Sequence, residues 1–196
     1  MKPNLSKYYA LYKPFGVLSQ FTSEEGEKTL KSIGDFAKDI YPIGRLDKDS
    51  EGLLILSNDK QLVNLLLNPK HQHEKEYFVQ VEGVPDDESL KKLADGVVIQ
   101  GYKTLPAKVR RISEPKLPER IPPIRFRKNI PANWLSITIA EGKNRQVRRM
   151  TASVGYPTLR LVRVRICNVY LHGLNIGEIR ELSNAEIKEL KSHINK

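Results

Sequence analysis

Apolar residues recur along this chain in two rhythms, one of period two and one near 3.6, and the alternation between them lays out the elements. Tyr8 to Tyr12 is a short run that stops at Lys13-Pro14, which predicts a strand followed by a turn through Phe15-Gly16. Leu30, Ile33 and Phe36 are spaced as a helical stripe, so Thr29 to Phe36 predicts a short helix. Gly52 to Ser57 is a continuous apolar run of strand length and predicts a buried strand. Leu62, Leu65 and Leu66 share one helical face, with Asn58 as the expected cap and Asn68-Pro69 as the stop. Tyr77, Val79 and Val81 alternate along Glu76 to Glu82, a strand with one apolar face.

Asp86 is placed to cap a helix through Leu90 and Leu93 that closes at Gly96. Ala107 to Ile112 predicts another strand. Residues 113–132 hold five of the twelve prolines and read as a long irregular excursion, apolar and basic in character. Trp134 to Ala140 alternates as a strand, Asn144 to Val154 as a helix ended by Gly155, and Leu161 to Val169 as a strand. Ser183-Asn184-Ala185-Glu186 is a capping box that opens a C-terminal helix. Strands outnumber helices and do not alternate strictly with them, so the expected class is α+β rather than doubly wound.

Composition narrows the setting. At 196 residues, with 39% hydrophobic and 29% charged side chains, the chain is expected to be globular and to bury a core without staples. Its single cysteine, Cys167, excludes an intramolecular disulfide and a cysteine-rich zinc site. No apolar run approaches the roughly 20 residues of a membrane helix, and the first residues lack the apolar core of a signal peptide. The expectation is a cytoplasmic protein with no membrane partner. The net charge of +10 is unevenly distributed: residues 1–100 sum to −3, whereas 103–165 sum to +13. A clustered cationic excess is the footprint of a polyanion, most often a nucleic acid.

Four segments carry candidate chemistry. Gly44-Arg45-Leu46-Asp47-Lys48-Asp49-Ser50-Glu51-Gly52 is a charged loop immediately before the buried strand. A carboxylate beside a polyanion-binding surface repels phosphate, so its presence there points to chemistry or to a local ion pair. Glu141 to Met150 surrounds a helix start with Asn144 and the cations Lys143, Arg145, Arg148 and Arg149, a crowding that an anionic partner relieves. Thr158 to Arg165 places Arg163 and Arg165 at alternating strand positions, able to reach for phosphate. Tyr77 opens a strand, either as a core tyrosine or as a ring that stacks on a base. His71 and His73 read as surface loop residues, and no Walker loop, dinucleotide glycine pattern or Ser/His/Asp motif is present. No cofactor and no metal is expected.

These segments, in this order, resemble the pseudouridine synthases of the bacterial ribosomal branch that runs from small-subunit synthase A through large-subunit synthases B, E and F. Gly44-Arg45-Leu46-Asp47 with Ser50-Glu51-Gly52-Leu53-Leu54 is similar to the catalytic motif. Lys13-Pro14, Lys75-Glu76-Tyr77 and Glu141 to Met150 are similar to the three others, and the resemblance covers roughly residues 7–185. Gln20-Phe21-Thr22, Thr104 to Ala107, Pro122 to Arg125 and Met150-Thr151-Ala152 favour a large-subunit member.

The resemblance implies a two-lobed catalytic domain over 1–196, a mixed and mostly antiparallel sheet flanked by helices, and a central active-site cleft. No S4-type RNA-binding domain is expected ahead of the first motif. It implies that uracil is detached from ribose at N1 and rejoined through C5, with 23S rRNA or a large-subunit assembly intermediate as substrate and the protein acting as a monomer. Asp47 would be the catalytic carboxylate, Arg148 its cationic partner and Tyr77 the tyrosine against the base. Leu161 would pack under the base and Arg45 would help hold the flipped uridine, while Lys143, Asn144, Arg145 and Arg149 bind flanking backbone. Attack on the sugar, attack on the base and proton removal all remain open. Competing expectations are a silent RNA-binding or assembly factor on this fold, and a synthase for another rRNA. One departure is Cys167, where the family usually has glycine.

Overall fold

The apolar run that follows the charged loop becomes a strand buried along its whole length, and the first part of the chain is organised around it. The computed structural model describes residues 6–124 and 131–192. In chain order the elements are β1 (Tyr8–Lys13), β2 (Tyr41–Ile43), β3 (Glu51–Ser57), helix α1 (Lys60–Leu67), β4 (Lys75–Glu82), α2 (Asp87–Asp95) and β5 (Val98–Ile99). Then come β6 (Tyr102–Lys103), β7 (Lys108–Ile112), β8 (Ala132–Ile139), α3 (Gln146–Ser153), β9 (Thr158–Ile166), β10 (Val169–Tyr170), β11 (Ile179–Glu181) and α4 (Asn184–Ser192). The class is α+β, as the pattern predicts. The chain divides into two compact units, one of Met1–His73 with Arg165–Lys196 and one of Glu74–Val164.

In the first unit β3 pairs antiparallel with β1 along its length and with β2 at its end, and β11 closes the other side of β1. All seven residues of β3 are buried. Leu54 and Leu56 join Leu11, Val17, Leu30 and Ile40 in one core cluster, onto which Phe21, Ile33 and Phe36 pack. That cluster explains why the stripe at 30–36 does not become an α-helix. Only Leu30–Ser32 forms a 3-10 turn, because Leu30 is drawn fully inside and Phe36 sets its ring edge against Tyr9 and Phe21.

Helix α1 starts one residue later than the sequence suggests. Asp59, not Asn58, accepts hydrogen bonds from the backbone N–H groups of Gln61 and Leu62, while Asn58 accepts from the Lys7 backbone N–H and donates to Asp39. The second Asp59 oxygen accepts from the Tyr8 hydroxyl and Lys191 Nζ, each at 2.7 Å. One carboxylate thereby caps α1 and ties α4 to β1. Burial works to raise its pKa, but the hydrogen bonds from Lys191, Tyr8 and Leu62 and the Lys191 charge outweigh it and bring it down from 3.8 to about 2.

A carboxylate depressed on folding stabilises the folded state above its unfolded pKa, and that stabilisation is lost as pH falls through the folded value. Asp59→Ala is therefore expected to cost about 2 kcal/mol at pH 7, from cap and ion pair together. In urea titrations the gap between variant and wild type should close between pH 4 and pH 2. At the other end of the unit, the Ser183 and Glu186 side chains exchange hydrogen bonds with each other's backbone N–H, the reciprocal cap expected of α4.

In the second unit β4 lies between β9 and β8, and β7 pairs with β8. Tyr77, Val79 and Val81 sit opposite Ile137, Leu135 and Asn133. The six residues from Trp134 to Ile139 are all buried, so both faces of β8 are covered and not one. Its polar face is satisfied in part by Ser136, whose hydroxyl donates to Glu76 at 2.8 Å. Helix α2 is capped by Asp86 as predicted, and Arg111 of β7 fastens to its start through the Pro85 carbonyl and Asp87. The short hairpin β5–β6 was not expected from the pattern. Its turn, Gln100-Gly101, places both residues at positive φ, 49° and 80°, which is the two-residue geometry that suits the twist of a hairpin.

Within 113–124 no helix or strand forms, as expected of the excursion. It is fastened by the buried Arg160, whose guanidinium donates to the Pro118 carbonyl at 2.9 Å. Arg120 donates to the carbonyls of Pro122 and Pro123. Arg125, Phe126, Arg127 and Lys128 of the expected basic stretch lie outside the described residues. No helix among the described residues is long and apolar enough to cross a membrane.

Candidate active site

Asp47 sits in the loop between β2 and β3, and the loop is held from both sides. Gly44 takes φ 70°, the left-handed turn that a glycine makes without strain. Leu46 is buried, and its backbone is clasped by Ser19, whose hydroxyl donates to the Leu46 carbonyl at 2.8 Å and accepts from its N–H at 3.1 Å. Beyond Asp47, the Lys48 carbonyl accepts from Gly16 N–H at 2.8 Å, and Ser50 N–H closes a turn onto the Asp47 carbonyl. The Gly16 turn is itself anchored by Lys13, fully buried, whose ammonium donates to the carbonyls of Pro14 and Val17. The Lys13-Pro14 motif thus braces the Asp47 loop from below. Asp47 is half-buried, with exposed Arg45 and Lys48 on either side.

Both neighbouring cations are met by residues 20–27, a contact the sequence reading missed. Lys48 pairs with Glu27 at 2.6 Å and Arg45 reaches Gln20 at 3.5 Å. The hydrogen bond from Lys48 holds the Glu27 carboxyl below its ordinary pKa.

In the second unit, the basic segment differs from the expected geometry. Helix α3 begins at Gln146, two residues after the predicted start, and Arg145 stands just outside it at φ 51° with no capping side chain. Asn144 and Arg145 therefore belong to a loop, and of the segment's cations only Arg148 and Arg149 lie on the helix. Gln146, 2% exposed, organises the loop: its amide donates to Glu141 at 2.5 Å and its carbonyl oxygen accepts from Lys143 N–H at 3.0 Å. Lys143, Asn144 and Arg145 are left exposed. Arg149 donates to Asn144 at 2.9 Å and also to Gln100 of the hairpin. Lys143 Nζ lies 3.5 Å from the centre of the Tyr102 ring.

Arg148 is half-buried and directs its guanidinium to the Thr158 carbonyl at 3.5 Å. Thr151 and Thr158 join their hydroxyls at 2.7 Å, so α3 is registered against the start of β9, the strand that carries Leu161. Leu161 and Tyr77 are 5% and 7% exposed and stand on adjacent strands. Arg163 is a correction. It is 2% exposed, because β9 is covered on both faces through its middle, so it does not offer a surface cation to phosphate.

His73 is a second correction. It is buried, with Nε2 at 3.1 Å from the Leu65 carbonyl and Nδ1 at 3.5 Å from Cys167 Sγ. His71 is exposed as expected. Cys167 adopts φ 48°, the left-handed backbone that a glycine takes freely, so the chain follows a glycine-like path at the position where the family usually carries glycine. Among the described residues no group of three or more His, Cys, Asp or Glu side chains is arranged to hold a metal ion.

The braced carboxylate loop and the basic loop both fall in a region that matches a family model, RNA pseudouridylate synthase, over residues 7–153. The chain belongs to this family and is an isomerase that converts uridine in RNA to pseudouridine. It is similar to the ribosomal large subunit pseudouridine synthase E of Vibrio parahaemolyticus, at 52% identity over 87% of this chain and 71% of that protein. The ribosomal large subunit pseudouridine synthase B of Bacillus subtilis is 39% identical over 94% of this chain and 71% of that protein. Among solved structures, a pseudouridylate synthase crystal structure superposes with a TM-score of 0.79 at 29% identity, covering 95% of this chain and 74% of that one.

Proposed function

We propose that this enzyme isomerises one uridine of 23S rRNA, with Asp47 as the catalytic carboxylate. The observation that carries the reading is the family match across the Asp47 loop, combined with relatives named as large-subunit synthases at about half identity. The reaction breaks the bond between N1 and the ribose, turns the uracil and forms a bond from C5 to the same sugar carbon. The proton lost from C5 is balanced by one gained at N1, so no redox partner is consumed. A half-buried carboxylate on a loop whose backbone is held in place ahead of a buried strand is suited to act as nucleophile or base in that step.

Within this reading Tyr77 and Leu161 shape the pocket for the uracil ring, Arg148 is the cationic catalytic residue, and Arg45 helps hold the nucleotide out of its stack. Lys143, Asn144, Arg145 and Arg149 take the flanking phosphates. Base extrusion costs a few kcal/mol, which these contacts offset. The protein acts as a monomeric catalytic domain in the cytoplasm, on rRNA or a large-subunit assembly intermediate, and residues 113–132 add RNA contacts.

Mapping pseudouridines in rRNA from cells lacking the gene tests the target. One site is expected to be missing from 23S rRNA and to return with the wild-type gene. A missing site in small-subunit rRNA would move the target, and a full complement of pseudouridines would favour a silent binding factor.

A further inference from the structure

The hairpin β5–β6 touches the basic loop at three separate places, none of which the catalytic reading uses. The Tyr102 ring lies under Lys143 Nζ at 3.5 Å. The Gln100 amide oxygen accepts from Arg149, which also binds Asn144. Two residues past the hairpin, Leu105 N–H donates to Glu141 at 2.9 Å, the carboxylate that also accepts from Gln146. The hairpin is itself fixed at its base, where Thr104 N–H donates to the Val97 carbonyl and Thr104 hydroxyl accepts from Val97 N–H.

Two details argue that these side chains are present for the loop and not for the hairpin. Gln100 sits at φ 49° in a turn where glycine, asparagine or aspartate is the easier choice, so the backbone gains nothing from glutamine. Tyr102 buries its hydroxyl with no hydrogen-bond partner among the described residues, an arrangement unfavourable for a hydroxyl. The ring under Lys143 is the part of the side chain that makes a contact.

We propose that Gln100 and Tyr102 are positioning residues that pre-order the basic segment 143–149, the loop and the first turn of α3, for RNA. Held on the hairpin, the Lys143 ammonium, the Asn144 amide and the Arg149 guanidinium meet the phosphate backbone without first losing their rotamer freedom. The ordering cost is met on folding instead of on binding. The ring holds the Lys143 ammonium without pairing it to a carboxylate, which an arriving phosphate would have to displace.

This inference rests on the reading of segment 143–149 as an RNA grip, and the experiment separates the two. Steady-state pseudouridine formation on a 23S rRNA fragment containing the mapped site is measured for Gln100→Gly, Tyr102→Leu, Tyr102→Phe, Lys143→Ala and Arg149→Ala. Gln100→Gly relaxes the turn, so a purely structural role predicts an unchanged or raised melting temperature and an unchanged KM. The positioning role predicts a KM raised about 3- to 10-fold with kcat within about twofold. Tyr102→Leu should do the same, and Tyr102→Phe, which keeps the ring, should restore the wild-type KM.

Wild-type KM for Gln100→Gly and Tyr102→Leu, alongside a raised KM for Lys143→Ala and Arg149→Ala, overturns the positioning role and leaves the grip standing. Wild-type KM for Lys143→Ala and Arg149→Ala removes the grip, and the positioning role with it. Should Tyr102→Leu fail to fold, Gln100→Gly carries the decision alone.

Discussion

Asp47→Asn is expected to lower pseudouridine formation by at least about 1,000-fold, roughly 4 kcal/mol of barrier. The substitution keeps the shape of the side chain but removes its charge, and with it the capacity to act as nucleophile or as base. The loop should not move. Backbone bonds from Gly16 and Ser50 and the Ser19 clasp on Leu46 hold it, and these survive the substitution. The melting temperature and the affinity for an unmodified 23S rRNA fragment should therefore stay close to wild type while turnover disappears. A variant that still converts the fragment at the wild-type rate would remove Asp47 from the chemistry.

Gly96→Ala is expected to be the most damaging small change to stability, with a loss of about 3 kcal/mol or more. Gly96 stands at φ 86°, a conformation that costs a side-chain-bearing residue about 1–3 kcal/mol. A Cβ there would come within 2.4 Å of the Thr104 carbonyl oxygen. That oxygen cannot retreat cheaply, since Thr104 is 3% exposed and is bonded to Val97 through both its N–H and its hydroxyl. Relief would shift residues 104–105 and disturb the hairpin that supports the basic loop. Gly101→Ala is the control. It shares a positive φ of 80° but has nothing within 4 Å of the added carbon, so about 1 kcal/mol is expected. Urea denaturation midpoints of the two variants check the difference.

Much of the fold was legible in one dimension. The buried run at 52–57, the alternation at 76–82, the Asp86 cap and the Ser183–Glu186 box each appear where the pattern places them. These features depend on local spacing, so the sequence states them directly. Elements whose stability comes from partners were harder to read. The stripe at 30–36 has helical spacing, yet its side chains serve a core assembled from distant strands. The hairpin at 98–103 is too short to show a period, and Gln100-Gly101 between Val98-Ile99 and Tyr102 was the one available signal.

The candidate site divides in the same way. The sequence by itself determined which residues are candidates for the chemistry, because a carboxylate loop, a tyrosine at a strand start and a run of cations are matters of residue type and order. Only the tertiary structure decided what each residue is surrounded by. It took Arg163 and His73 inside, moved Arg145 off the helix, and set Gln146, Gln100 and Tyr102 against the basic loop. Burial and side-chain pairing depend on residues far away in the chain that pack over a position. Spacing along a single segment holds no record of those neighbours.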